Sequence, residues 1–165
     1  MLSIVTYPNP VLEREAATVS FPLSDADKQL IKDMWTTVKD QGVGLAAPQV
    51  GVSKQICIIH LADSEKGRQA KDIVMINPQL LFQSETENLM VEGCLSFPGE
   101  YYKIWRPANI VVTYQDEQGR SRKLRAGEWL SRVIQHEVDH LNGRIFTTLG
   151  GEKIEESELD EPVVD

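Results

Sequence analysis

The segment between Ala126 and Gly143 is the feature that most constrains the fold of this chain. Its apolar residues recur at helical spacing along one face, at Leu130, Ile134, Val138 and Leu141. Val133 adds apolar surface on another side, and Gly143 suits a C-terminal helix cap. A helix that is apolar over so much of its circumference belongs inside the protein, so the rest of the chain must pack around it.

Two histidines and an acid interrupt this apolar surface. His136 and His140 are four residues apart, so they lie on the same face, one helical turn from each other. Glu137 completes the pattern H-E-x-x-H, in which two imidazoles bind a divalent metal and the carboxylate takes a proton. Because the pattern also arises by chance, a structural pair of hydrogen-bonded histidines is the competing interpretation.

A third metal ligand is needed, and the sequence offers several. Cys94 is favoured because it lies in VEGCLSFPG, where glycine and proline let a loop approach a site, and a divalent cation would stabilise its thiolate. Glu155 or Glu158 would instead complete the site of a zinc peptidase. His60 would complete a closed metal site in a non-catalytic protein.

Three β-rich runs precede the late helix, at residues 55–61, 73–82 and 109–115. The last run is followed by the turn-like DEQG and by RSRKLRA, which predicts a hairpin. The connections are too short for repeated βαβ crossovers, so the sheets should be antiparallel. Another helix is predicted from Ser24, which can cap it together with Asp27. We therefore predict an α+β fold with antiparallel β-sheets packed around a central metal-binding helix.

Charge is unevenly distributed along the 165 residues. The net charge is −8, and residues 151–165 hold seven acids and one lysine, a net charge of −6. We predict a single catalytic domain at residues 1–150 and an acidic, flexible tail at 151–165. The nearly neutral body has no basic patch, so direct nucleic-acid binding is not expected.

The chain has the features of a cytoplasmic protein. Its N-terminus lacks the pattern of a secretory signal, and no apolar run is long enough to cross a membrane. A disulfide between the two cysteines is therefore not expected. Cys57, in QICIIH, is predicted to be a small buried hydrophobic residue.

The segment GVGLAAPQVG at residues 42–51 consists of small and apolar residues with one amide, Gln49. No GK[ST] follows the glycines, so a nucleotide-binding loop is not indicated. The alternatives are a plain turn with core alanines, or a loop whose backbone contacts a ligand while Gln49 faces a developing oxyanion.

Taken together, residues 42–51, 92–98 and 135–143 resemble, in order and spacing, the three signature motifs of peptide deformylase. The resemblance begins at Y-P-x-P-x-L, from Tyr7 to Leu12, and extends to about Leu149. It implies a metal-dependent hydrolase that removes the N-formyl group from the N-terminal formylmethionine of newly made polypeptides and releases formate. It also implies one divalent metal per chain, natively Fe²⁺, with Zn²⁺, Ni²⁺ or Co²⁺ as possible replacements.

The resemblance assigns roles to individual residues. The implied metal ligands are Cys94, His136 and His140, with water in the fourth position. The implied catalytic groups are Glu137 as general base and the Gln49 amide and Leu95 N–H as oxyanion donors. The implied substrate-binding residues are Val43, Gly44, Phe97 and Val133. Glu92 and Asp139 would orient the metal ligands.

The chain also departs from the family pattern. Some members have a peptide-positioning arginine after the cysteine motif, where this chain has Tyr101, Tyr102 and Lys103. Many members end in a long, often basic helix that docks on the ribosome, whereas this chain is short and acidic after Leu149. We therefore expect a monomer that acts on formyl-Met nascent peptides, with at most transient ribosome association and no docking through the tail.

Overall fold

The structure, a computed structural model, describes residues 1–39, 41–61, 72–159 and 163. The two α-helices are α1 (Asp25–Val38) and α2 (Glu128–Leu141). The strands are β1 (Gly44–Ala46), β2 (Ile56–Ile59), β3 (Ile73–Gln83), β4 (Glu87–Glu92), β5 (Tyr101–Pro107), β6 (Asn109–Gln115), β7 (Ser121–Gly127) and β8 (Glu152–Ile154). No helix in these described ranges is long and apolar enough to cross a membrane.

The strands form two sheets in which every pair of neighbours is antiparallel. The larger sheet has the order β1-β2-β3-β6-β7, and the smaller has the order β4-β5-β8. Strand β1 therefore ends one sheet, and β4 ends the other. The predicted α+β fold with antiparallel sheets is confirmed, as is the predicted hairpin, which is β6 and β7.

Helix α1 begins where its sequence predicted. The N–H of Asp27 donates to Ser24 Oγ at 3.1 Å, and this hydroxyl donates to the Asp27 carboxylate at 2.6 Å. Lys54 forms an ion pair with the same carboxylate. The apolar face of the helix, which includes Met34 and Val38, packs on the core of the larger sheet.

Helix α2 lies in the interior, between strands of both sheets. Residues 131–141 are all buried, and the helix contacts β1, β2, β5, β6 and β7. It begins two residues later than predicted because Ala126 and Gly127 belong to β7. It ends at Leu141, and Gly143 follows its C-cap, with a φ of +68° and a position where a Cβ would lie 2.7 Å from the backbone of Arg14, so only glycine fits.

The smaller sheet was not predicted from the sequence. Strand β8 lies inside the segment 151–165 that was predicted to be a flexible tail. Tyr101 pairs with Ile154, and Lys103 pairs with Glu152. The prediction was wrong for residues 152–154, because backbone pairing holds them against β5. The domain boundary after residue 150 and the flexibility of the remaining tail stay predictions.

Candidate active site

Three buried side chains converge at the centre of the molecule. The potential ligand atoms of Cys94, His136 and His140 all lie within 4.8 Å of one another. Cys94 Sγ lies 3.2 Å from His140 Nε2, and the two imidazole rings are 5.0 Å apart at 74°. A thiolate and two imidazoles at this spacing are a donor set for a divalent transition metal.

The N-terminal segment holds two of the site loops together. Helix α2 supplies both histidines, whereas Cys94 lies in the loop that follows β4. The N–H of Val5 donates to the Gln49 carbonyl at 2.7 Å, and the N–H of Tyr7 donates to the Ser96 carbonyl at 2.9 Å. The extended N-terminus therefore fixes the Gln49 loop relative to the Cys94 loop.

Glu92 orients one of the two candidate ligand histidines. His136 Nδ1 donates to Glu92 Oε2 at 2.9 Å, which turns Nε2 towards Cys94 and His140. Arg106 donates to both Glu92 oxygens, at 2.6 and 2.9 Å, and Arg132 donates at 2.8 Å. Burial raises the pKa of Glu92, but the hydrogen bonds from His136 and Arg106 outweigh it and lower that pKa far below its usual value. Glu92 is therefore a fixed buried anion.

Two arginines of this network were missed in the sequence. Arg106 also donates to Asp139 Oδ2 at 2.6 Å, so one guanidinium joins both acids that were predicted to orient the site. Arg132 is 1% exposed and precedes His136 by one helical turn. Position gave a signal: Arg106 lies two residues after the buried Ile104 in β5 and so faces the same side. The charge of arginine argued against burial, because arginine is rarely buried unless it is paired.

The electrostatics of the site suit a cation. Burial lowers the pKa of His136, but hydrogen bonds with Cys94 and Glu92 raise it well above its usual value. Burial and the neighbouring His136 lower the pKa of His140 well below its usual value. One histidine thus lies where positive charge is stabilised, and the other is held as the neutral imidazole that metals bind. The residues present therefore fit a divalent metal.

The Gln49 amide faces this centre, and the N–H of Leu95 belongs to the loop that carries Cys94. Gln49 Oε1 accepts from the N–H of Ala46 at 2.8 Å, which leaves the amide nitrogen pointing at Cys94 Sγ, 3.5 Å away. The carbonyl of Cys94 accepts from the N–H of Phe97 at 2.9 Å, forming a tight turn. Leu95 is the second residue of that turn, and its N–H is not the donor of the hydrogen bond that closes the turn.

Glu137 lies against the backbone of β1. A Cβ on Gly44 would come within 2.8 Å of the carboxyl carbon of Glu137 and would also overlap its Oε1, so the side chain fills the space that glycine leaves open. Cys57 lies on the neighbouring strand and is fully buried. Burial and the negative charge of Glu137 raise the pKa of the Cys57 thiol well above its usual value, so Cys57 stays a neutral core residue as predicted.

The predicted substrate-binding residues fall in two places. Val133 is 1% exposed and belongs to the core of the larger sheet, and Val43 packs against the same core. Phe97 belongs instead to the apolar cluster around Cys94 and Phe146, and its ring stacks on Tyr7 with centroids 5.1 Å apart.

The alternative third ligands lie elsewhere. His60 Nδ1 bonds the carboxylate of Asp72 at 3.0 Å on the surface. Glu158 accepts from the N–H of Glu155 at 2.9 Å within an exposed 3₁₀ turn. Among the residues that the structure describes, only Cys94, His136 and His140 form a potential metal-binding group.

The fold and the site together define a class of protein, the metal-dependent hydrolases that bind their metal through H-E-x-x-H. Within this class, residues 1–151 match the family model described as polypeptide deformylase. The chain belongs to that family.

Individual relatives agree with this result. A peptide deformylase of Bartonella tribocorum is 37% identical over 150 residues, which cover 88% of this chain and 82% of the relative. The structure of the Synechococcus elongatus peptide deformylase in complex with actinonin is 39% identical, with a TM-score of 0.81 over 90% of this chain and 78% of that one. A class I type b peptide deformylase from Acinetobacter baumannii, bound to Met-Ala-Ser, is 34% identical, with a TM-score of 0.83 over 90% and 98% of the two chains. The predicted family and its activity, hydrolysis of the formyl group of N-formylmethionine peptides, are confirmed.

Proposed function

We propose that this chain deformylates nascent peptides at the Cys94–His136–His140 centre, with Fe²⁺ as its native metal and Glu137 as its general base. The observation that carries the proposal is the convergence of the three ligand atoms within 4.8 Å of one another, on the helix that also carries Glu137. The thiolate is a softer and more electron-donating ligand than a third histidine would be, which suits Fe²⁺ and also admits Zn²⁺, Ni²⁺ or Co²⁺.

When bound, the metal supplies the polarisation of the formyl carbonyl and a lowered pKa for a coordinated water. Glu137 takes the proton from the attacking water and later delivers it to the departing amine. Gly44 leaves room for the carboxylate, and α2 fixes its position because Glu137 is only 2% exposed. A buried base excludes bulk water from the transfer, which keeps the proton on the reaction path.

Charge develops on the formyl oxygen as the tetrahedral intermediate forms. The amide nitrogen of Gln49 and the N–H of Leu95 are the donors assigned to that oxygen. The hydrogen bond from Ala46 supports this role for Gln49, because it fixes the amide with its donor side towards Cys94. A donor that is held in position before charge develops needs no reorganisation during the reaction, which makes it effective.

The peptide binds as a short strand beside β1. Strand β1 ends its sheet, so the backbone of Gly44 can bond an extended peptide along that edge. Backbone pairing is independent of side chains, which suits an enzyme that meets many different N-termini. The methionine side chain is assigned to Val43, Val133 and Phe97.

The test is release of formate from formyl-Met-Ala-Ser, the formylated form of the peptide held by the Acinetobacter relative. Glu137→Ala should keep one metal per chain and lose turnover by about 10²- to 10⁴-fold, because only proton transfer is removed. Glu85→Ala, at an exposed turn, is the matched control and should retain full turnover. A fully active Glu137→Ala would refute the role of Glu137, and metal analysis of anaerobically purified protein tests Fe²⁺.

A further inference from the structure

The N-terminal segment, residues 5–16, is attached to the end of the helix that carries both histidines. The N–H of Ala16 donates to the carbonyl of Leu141, the last residue of α2, at 2.8 Å. Just beyond the helix, a Cβ on Gly143 would lie 2.7 Å from the carbonyl carbon of Arg14, so the two backbones are in direct contact. One end of the segment is therefore fixed relative to α2.

The other end of the segment contacts the two loops that complete the site. The N–H of Val5 donates to the Gln49 carbonyl at 2.7 Å, and the N–H of Tyr7 donates to the Ser96 carbonyl at 2.9 Å. The Tyr7 ring also stacks on Phe97, with centroids 5.1 Å apart and ring planes 21° apart. Phe97 is 5% exposed and Tyr7 is 48% exposed, so the phenol lies on the solvent side of the stack. This end of the segment thus connects the two loops.

Each of these contacts lies beside one of the two groups assigned to the formyl oxygen. Val5 bonds the main chain of Gln49, whose side-chain amide is one donor. Tyr7 holds the two residues that follow Leu95, whose N–H is the other donor. Because Leu95 and these two residues belong to one hydrogen-bonded turn, a shift of the turn would move the N–H of Leu95 with it.

From these contacts we propose that residues 5–7 set the spacing between the two oxyanion donors. Tyr7 is the positioning residue for the N–H of Leu95, and the N–H of Val5 positions Gln49. This role rests on the proposed function, which assigns both donors. A catalytic constellation must be held to within about 0.5 Å of its productive geometry, so a change in this spacing should slow the reaction. Capture of the peptide along β1 does not use these residues, so the effect should fall on kcat rather than on KM.

Val5→Pro tests the contact with the Gln49 loop, because proline has no N–H to donate. With formyl-Met-Ala-Ser, kcat should fall by about tenfold, which is less than the 10²- to 10³-fold expected for complete loss of an oxyanion donor. The value of KM should change by less than about twofold. Ser3→Pro, at an exposed position two residues earlier, is the matched control and should keep kcat within about twofold.

The same substitution in a Gln49→Ala background identifies the group through which Val5 acts. Once the amide is absent, Val5→Pro should lower kcat by less than about twofold, because substitutions that act through one group are not additive. Tyr7→Ala should lower kcat by about fivefold both in the parent and in this background, because it acts on Leu95 instead.

Tyr7→Phe separates positioning by the ring from any other effect of the side chain. It keeps the ring that stacks on Phe97, so kcat should stay within about twofold of the parent. Tyr7→Ala leaves the backbone bonds in place, so this pair of variants tests the same role even if Val5→Pro folds poorly. In Tyr7→Ala, the metal content and the pH dependence of kcat should match those of the parent, because the oxyanion donors do not titrate, whereas displacement of Glu137 would change the pH profile.

The outcomes separate this role from the proposed function. An unchanged kcat in both Val5→Pro and Tyr7→Ala would overturn the positioning role while leaving deformylation intact. So would a change confined to KM, or an equal effect of Val5→Pro with and without the Gln49 amide. Absence of formate from the parent would overturn the proposed function and, with it, this role.

Discussion

Replacing Glu92 by glutamine should be among the most damaging single substitutions in this chain. The carboxylate is fully buried and accepts four hydrogen bonds, from Arg106, Arg132 and His136. Glutamine has nearly the same shape but carries no charge. Its NH2 group would also lie against the N–H donors of the neighbouring side chains, where an acceptor is needed. Arg106 would then keep Asp139 as its carboxylate partner, whereas Arg132 would be left with neutral acceptors, the carbonyls of Ile104 and Asn88 and the Asn88 amide oxygen.

Breaking a buried ion pair by removing one partner costs about 3–5 kcal/mol. For a chain of this size, such a loss lowers the midpoint of thermal unfolding by about 6–20 °C. The bond to His136 Nδ1 would also lose its ionised acceptor, so metal affinity should fall by about 10- to 100-fold.

Thermal unfolding should be measured on both metal-loaded and chelator-treated protein, because metal loss alone changes stability. The matched control is Glu87→Gln on the same strand, where the side chain is exposed and the expected change is within about 0.5 kcal/mol. If Glu92→Gln unfolds within about 1 kcal/mol of the parent in the metal-free state, the buried network does not stabilise the fold as reasoned here.

Three further outcomes are expected. Although burial raises the pKa of Asp27, its bonds to Lys54 and Ser24 hold that pKa below its usual value, so the stability it adds is present above about pH 4, the ordinary pKa of an aspartate, and lost in more acidic solution. In Asp27→Asn, the free energy of unfolding should therefore fall less steeply as the pH is lowered into the acid range. An unchanged dependence on pH would contradict this. Gly44→Ala should abolish turnover because its Cβ overlaps the Glu137 carboxylate, whereas Gly150→Ala, where a Cβ meets nothing but φ is +78°, should cost about 1 kcal/mol in stability and no activity. Cys94→Ser should lose most bound metal in direct metal analysis, and full retention would exclude the thiolate as a ligand.

The parts of the fold that could be predicted from the sequence are those that depend on local patterns of residues. Helix α1 was predicted from its Ser24–Asp27 cap, and α2 from its spacing of apolar residues and its glycine cap. Potential ligands 42 and 46 residues apart were grouped through a resemblance of ordered motifs, and the structure brings Cys94, His136 and His140 together. Their individual roles stay predictions.

The parts that were missed depend on distant partners. Arg106 of β5 and Arg132 of α2 can be buried because acceptors from distant parts of the chain pair with them, above all Glu92 of β4, which accepts from both. Strand β8 is only three residues long and lies in an acidic segment, and its pairing is decided by β5 rather than by its own propensity. Neither a buried charge nor a short edge strand has a local signature strong enough to outweigh the composition around it.

The burial of α2 has a consequence for how this enzyme can diversify. Residues 131–141 are buried in the core and also carry the two histidines and the glutamate proposed as ligands and base. A substitution there alters packing and chemistry together, so few substitutions in this stretch should be tolerated. Variation costs least at positions that lie outside the core. New substrate preferences should therefore arise first from substitutions at the periphery of the site, while the sequence of α2 stays unchanged.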